Sequence, residues 1–142
     1  MMLFSRTIGL PVITGDDATS LGTVRDLTLD AAGAVVAGVR LSGGPDRTDA
    51  LPWTAVAAVG PDALIVRSRH AADPERTPLP AHHSPLGSRV LTDLGTEHGT
   101  VQDIAFDAAS GRVLTLYTAL GDIPGARLLG LGSYALVVRA QP

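Results

Sequence analysis

The chain has 142 residues and a net charge of −3, and 45% of it is apolar but only 4% aromatic. That allows one ordinary domain or two very small ones, with cores built from Val, Leu, Ile and Ala. Cysteine is absent, which excludes disulfides and thiolate metal sites, and the acidic balance argues against direct nucleic-acid binding.

Every basic residue is arginine, and neither lysine nor asparagine occurs, a pattern of GC-rich bacterial genomes. The N-terminal Met1–Arg6 has no apolar core of signal-peptide length, since Arg6, Gly9 and Pro11 interrupt it at once. No stretch reaches the ~18–20 apolar residues of a membrane span, so a cytoplasmic protein is expected.

From there the chain reads as short β-branched runs bounded by Gly, Pro or Asp. They are Pro11–Thr14, Thr23–Asp30, Val35–Ser42, Asp49–Pro52, Ala55–Val59 and Ala63–Arg67. The turn Asp30-Ala31-Ala32-Gly33 suits a hairpin with Gly33 at positive φ. Leu27 and Leu29 share a face while Val24 is out of phase with them, which predicts a bulge or sharp bend near Asp26 that curls the sheet. The segment Ser68–Pro85 carries Pro74, Pro78, Pro80 and Pro85 and reads as an extended linker.

Beyond the linker the pattern returns. Gly22-Thr23-Val24-Arg25-Asp26-Leu27-Thr28-Leu29-Asp30 matches Gly99-Thr100-Val101-Gln102-Asp103-Ile104-Ala105-Phe106-Asp107. Val12-Ile13-Thr14 matches Val90-Leu91-Thr92, Leu51-Pro52 matches Ile123-Pro124, and Ala63–Arg67 matches Ala135–Arg139. Conserved order with short indels indicates duplication. The expected organisation is all-β, with two tandem small antiparallel β-barrels at residues 1–67 and 86–142, joined by the Pro-rich linker at 68–85.

The series Gly9-Leu10-Pro11-Val12, then Leu21–Asp30, a Gly turn, Leu51-Pro52-Trp53 and Ala63–Val66 resembles the PRC-barrel family. That family is named for the photosynthetic reaction-centre H subunit, and a similar barrel forms the C-terminal half of a ribosome maturation factor. The resemblance implies a β-barrel adaptor that binds proteins and sometimes works beside RNA. The second copy keeps Gly99-Thr100-Val101, Asp103 and Pro124 but has Gly125 in place of Trp53.

Among candidate chemical groups, Asp26 and Asp103 follow the same Gly-Thr-Val-x step. They read as caps of amides exposed at the bulge, with a paired acid or metal site as the alternative. Asp30 and Asp107 open the turns. His70, His82 and His83 read as a solvated linker without zinc-site spacing. No serine sits in a nucleophile elbow, and Gly130-Leu131-Gly132-Ser133 lacks the lysine of a phosphate loop and reads as a hairpin. Neither a catalytic residue nor a cofactor or metal site is assigned.

Trp53 either plugs one barrel end or stands as an exposed anchor. His98 occupies the loop position of Leu21 in the first copy, so Trp53 and His98 are the candidates for partner contact. The expected function is a non-catalytic protein-binding scaffold, alone or as a homodimer. The alternatives are an RNA-processing or ribosome-assembly factor, and a small-ligand binder or enzyme using Asp26, Asp103 and His98 between the barrels.

Overall fold

The computed structural model of the protein describes residues 1–44, 49–68 and 79–140. The first half begins with a two-residue strand β1 (Met2–Leu3) and a single helical turn α1 (Phe4–Thr7). Strands β2 (Pro11–Thr14), β3 (Ser20–Asp30), β4 (Val35–Ser42), β5 (Ala50–Pro52), β6 (Val56–Val59) and β7 (Leu64–Val66) follow. The second half carries β8 (Arg89–Thr92), β9 (Glu97–Phe106), β10 (Val113–Thr118), β11 (Gly121–Pro124), β12 (Leu128–Leu131) and β13 (Leu136–Val138). A 3₁₀ turn joins β5 to β6 (Trp53–Ala55), and another joins β11 to β12 (Gly125–Arg127).

Two sheets result, in the orders β5-β4-β3-β2-β7-β6 and β11-β10-β9-β8-β13-β12. Adding six to each strand number of the first gives the second, so the strand order is the same. Two expectations are corrected here. Each sheet contains one parallel pair, β2 with β7 and β8 with β13, because the last short strand of each half returns beside β2 or β8. Neither sheet closes into a hydrogen-bonded barrel among the described residues: β5 and β6 do not pair, nor do β11 and β12.

The gap has a local cause. Pro52 and Pro124 each lead into three residues of 3₁₀ helix, which rises only about 2 Å per residue. The two end strands are therefore brought close by a turn instead of a ladder. That turn is tied to its own sheet, since Arg67 N–H donates to the Ala55 carbonyl (3.0 Å) and Arg139 N–H to that of Arg127 (2.7 Å).

The expected bulges are present. The β3–β4 register shifts between Val24 and Asp26, and the β9–β10 register shifts between Val101 and Asp103. The extra residue brings Val24, Leu27 and Leu29 all inside, and likewise Val101, Ile104 and Phe106. At the hairpins the positive φ falls one residue later than expected, on Ala34 (+53°) and its counterpart Gly111 (+80°) rather than on Gly33.

The halves meet about a local two-fold relation. Val35 and Arg112, which occupy the same repeat position, form an antiparallel bridge with each other. Val36 N–H donates to the Gly111 carbonyl (2.7 Å), and its counterpart Val113 N–H donates to Ala34 (2.8 Å). One apolar core runs through both sheets. At its centre Phe106 of the second half meets Phe4 and Trp53 of the first, edge to face, at 5.4 and 5.5 Å between ring centroids.

Candidate functional site

Each half extends an arm onto the other. β1 pairs with β9, placing Met2 opposite Phe106 and Leu3 opposite Ala105. Two residues further, Ser5 donates to Asp103 from its amide (3.1 Å) and from its hydroxyl. The second arm, residues 79–87, runs into β8 and crosses to the first sheet. There His82 Nε2 lies 3.1 Å from Asp26 Oδ2, and His82 Nδ1 lies 2.9 Å from Thr28 Oγ1. The repeated aspartates thus hold the crossing arms while also serving the bulge. Leu27 N–H donates to Asp26 Oδ1 and Ile104 N–H to Asp103 Oδ1, both at 2.8 Å.

Both ring nitrogens of His82 contact side chains of the first sheet. Arg40 Nε donates to Thr28 Oγ1 (3.3 Å), and the threonine proton fits His82 Nδ1 while an Nε2 proton fits Asp26. This arrangement suits a neutral imidazole. Burial also pushes the His82 pKa below its ordinary value, and the attraction of Asp26, which acts the other way, is the smaller effect. The series hydroxyl, imidazole, carboxylate has the order of a hydrolytic triad. Here, however, the Thr28 hydroxyl is buried at 1% residue exposure and already accepts from Arg40, so the cluster as it stands positions the arm.

The reading of His82 as part of a solvated linker is therefore corrected. Its side chain is 20% exposed and bonded to the first sheet, and Pro85 is buried. His70, with Pro74 and Pro78, lies outside the described residues. His83 is half-buried beside the cluster.

Of the two partner-contact candidates, the structure places Trp53 inside the junction, 7% exposed. It packs on Phe106 and on the backbone of Gly111, where an added Cβ would lie 3.0 Å from the indole. Its contact is with the other half of the same chain. The opposite position, Gly125, has no room for a side chain, since a Cβ there would lie 2.1 Å from the Val113 carbonyl oxygen. His98 is half-buried, and its Nε2 has no hydrogen-bond partner among the described residues. Trp53 and His98 are not brought together with Asp26 and Asp103 as one site.

A surface feature absent from the sequence reading is Tyr134, in the β12–β13 turn and 72% exposed. It is held in place. Arg89 Nη1 donates to its hydroxyl (2.8 Å) while the guanidinium lies 5.6 Å from the ring centre. Glu97 in turn accepts from Arg89 Nε at 2.9 Å. Leu91, Leu131 and Val137 line the shallow hollow beside the ring. The first half has Asp62 in that turn, so only one half presents the aromatic.

The model of the PRC-barrel domain matches residues 1–72, half of the chain. The chain belongs to the PRC-barrel domain family. No curated protein matches its sequence. In this PRC-barrel protein the matched segment covers the first sheet, including Asp26, Trp53 and the Leu51-Pro52 step that opens the 3₁₀ turn.

Among the described residues no group of three or more His, Asp or Glu side chains could hold a metal ion. No helix among them is long and apolar enough to cross a membrane.

Proposed function

We infer that the protein is a non-catalytic scaffold in which two PRC-barrel repeats are joined face to face and a partner protein binds the outer surface of the second. The observation that carries this reading is Tyr134, exposed yet fixed by Arg89 and Glu97 next to an apolar hollow. Tyrosine and arginine are the residue types that dominate interface energetics. An aromatic already held in place loses little conformational entropy on binding.

The fused junction supports the same reading. It consumes the inner faces of both halves in a shared core and leaves the outer surfaces for a partner. His98 is half-buried on this half, its Nε2 buried and without a hydrogen-bond partner among the described residues, and is a second position to test.

The test is a photo-crosslinker placed at position 134 of the full chain, with capture from the native lysate and light scattering of the purified protein. A specific crosslinked protein, lost on adding excess unlabelled wild type but not excess Tyr134→Ala, is the expected result. A chain that crosslinks to nothing at this position overturns the assignment of the surface. Turnover of a small molecule by the purified chain would overturn the non-catalytic reading.

A further inference from the structure

We propose that the crevice at the edge of the junction, between the first half's hairpin turn and the second half's 3₁₀ segment, is a docking site for an acidic, extended segment of a partner protein. The crevice encloses about 640 Å³. Ala34 and Val35 form one side, Leu128 and Leu129 the other, and Arg112 and Arg139 stand among them with no carboxylate among the described lining residues. Neither guanidinium has a hydrogen bond or ion pair among the described residues, although each is exposed on a chain of net charge −3.

The local two-fold relation supplies the comparison that identifies the occupant. The related hollow on the other side, about 460 Å³ and bounded by Val35, Val36, Thr54 and Ser110, is lined by Leu79 and Pro80 of the chain's own arm. A residue before proline is held extended, so that side already carries an extended peptide segment. On the side proposed here no arm residue stands among the described lining residues. Arg112 stands where the first half has the apolar Val35, so cationic character has been added to one side only.

The chemistry selects the class of ligand. Two guanidiniums beside apolar walls suit carboxylates carried on a partly apolar backbone, with bidentate N–H···O pairing available to each. A nucleic-acid backbone would need a broad basic face, which an overall acidic chain does not offer. The proposal rests on the scaffold reading and adds to it the kind of partner segment bound.

Fluorescence anisotropy with the intact protein tests it, using a labelled hexapeptide of alternating Asp and Leu and a second peptide of alternating Arg and Leu. The acidic peptide is expected to bind and the basic one not to. Arg112→Ala with Arg139→Ala should weaken the acidic peptide at least about tenfold, the loss of roughly one charge-assisted contact. Both arginines are exposed, so circular dichroism should show an unchanged fold. Absence of binding, equal binding of the two peptides, or binding indifferent to the double substitution overturns the proposal. If the Tyr134 crosslink survives in the double variant while the peptide does not bind the wild type, the crevice assignment falls and the scaffold reading stands.

Discussion

Removing the Trp53 ring should destabilise both halves together. The ring is 7% exposed and stands edge-on to Phe106 at 5.5 Å, with its other side on the Gly111 backbone. Backbone cannot collapse into the space as a flexible side chain would, so Trp53→Ala should cost about 3–5 kcal/mol, the range for large aromatic truncations. For 142 residues the unfolding entropy is roughly 0.3 kcal/mol per kelvin, which converts to a fall of about 10–17 °C in Tm. Phe106→Ala should cost a similar amount, and the double variant should reveal a coupling of about 0.5–1.5 kcal/mol from the edge-to-face pair. Urea unfolding followed by circular dichroism supplies these values. In the wild type the single tryptophan adds a junction-specific probe, and its fluorescence transition should coincide with the dichroism. Additivity within about 0.3 kcal/mol would refute a direct Trp53–Phe106 contact. Separate transitions by the two probes would refute a single cooperative core.

Other outcomes follow from the same geometry. His82 is held neutral in the fold with its pKa below the ordinary 6.5, so its contribution is present above pH 6.5 and declines as pH falls through the folded value. Asp26, Arg40 and Arg25 are the charges that act on it; the urea midpoint should fall on acidification in the wild type, with that His82-dependent part absent in His82→Gln. At the repeat-related positive-φ positions opposite effects are expected: Ala34→Gly should raise stability by about 0.5–1 kcal/mol, and Gly111→Ala should lower it by about 1–3 kcal/mol. Thermal melts of the pair check the sign. Gly125→Ala should be more damaging than Gly111→Ala, because its Cβ would meet the Val113 backbone rather than an indole edge; a soluble variant with an unchanged melt would contradict the packing.

What could be read from the sequence was local. The apolar phase break across Val24, Leu27 and Leu29 is a direct record of an extra residue in the strand, so the bulge was legible, and with it the capping role of Asp26 and Asp103. The strand runs are legible for the same reason, with ends that differ: β3 starts at Ser20 rather than Thr23, β5 at Ala50 rather than Asp49, β6 at Val56 because Ala55 belongs to the 3₁₀ turn, and β7 spans Leu64–Val66 rather than Ala63–Arg67. The parallel pairing of β2 with β7 leaves no periodic trace in either strand, and the barrel expectation overlooked the turn that replaces a closing ladder. Ser5 and Asp103 are 98 residues apart, beyond any local pattern. His82 was obscured by its Pro-rich neighbours, whose composition describes a linker even where the chain is docked. Tyr134 was missed because one aromatic in a turn carries no signal until Arg89, 45 residues away, is seen to hold it.

The repeated aspartates explain why near-identical motifs came to do different work. Each must receive the amide of the next residue, a demand set by the bulge and met at 2.8 Å in both halves. The remaining oxygen is then free for whatever the opposite arm brings. On Asp103 that is the Ser5 hydroxyl, while the Ser5 amide shares Oδ1 with Ile104 N–H; both are neutral donors whose bonds do not depend on pH near neutrality. On Asp26 it is an imidazole whose pKa is lowered by burial, so its proton count changes on acidification. The duplicated residue therefore sets the position of both arms, while the unduplicated residue it meets decides how firmly each is held. The same division applies on the outer surface, where Arg112 replaces Val35 and Tyr134 replaces Asp62 on a shared framework. The bulge constrains the repeated positions, and the two outer surfaces differ in charge and aromatic character at the positions that are not repeated.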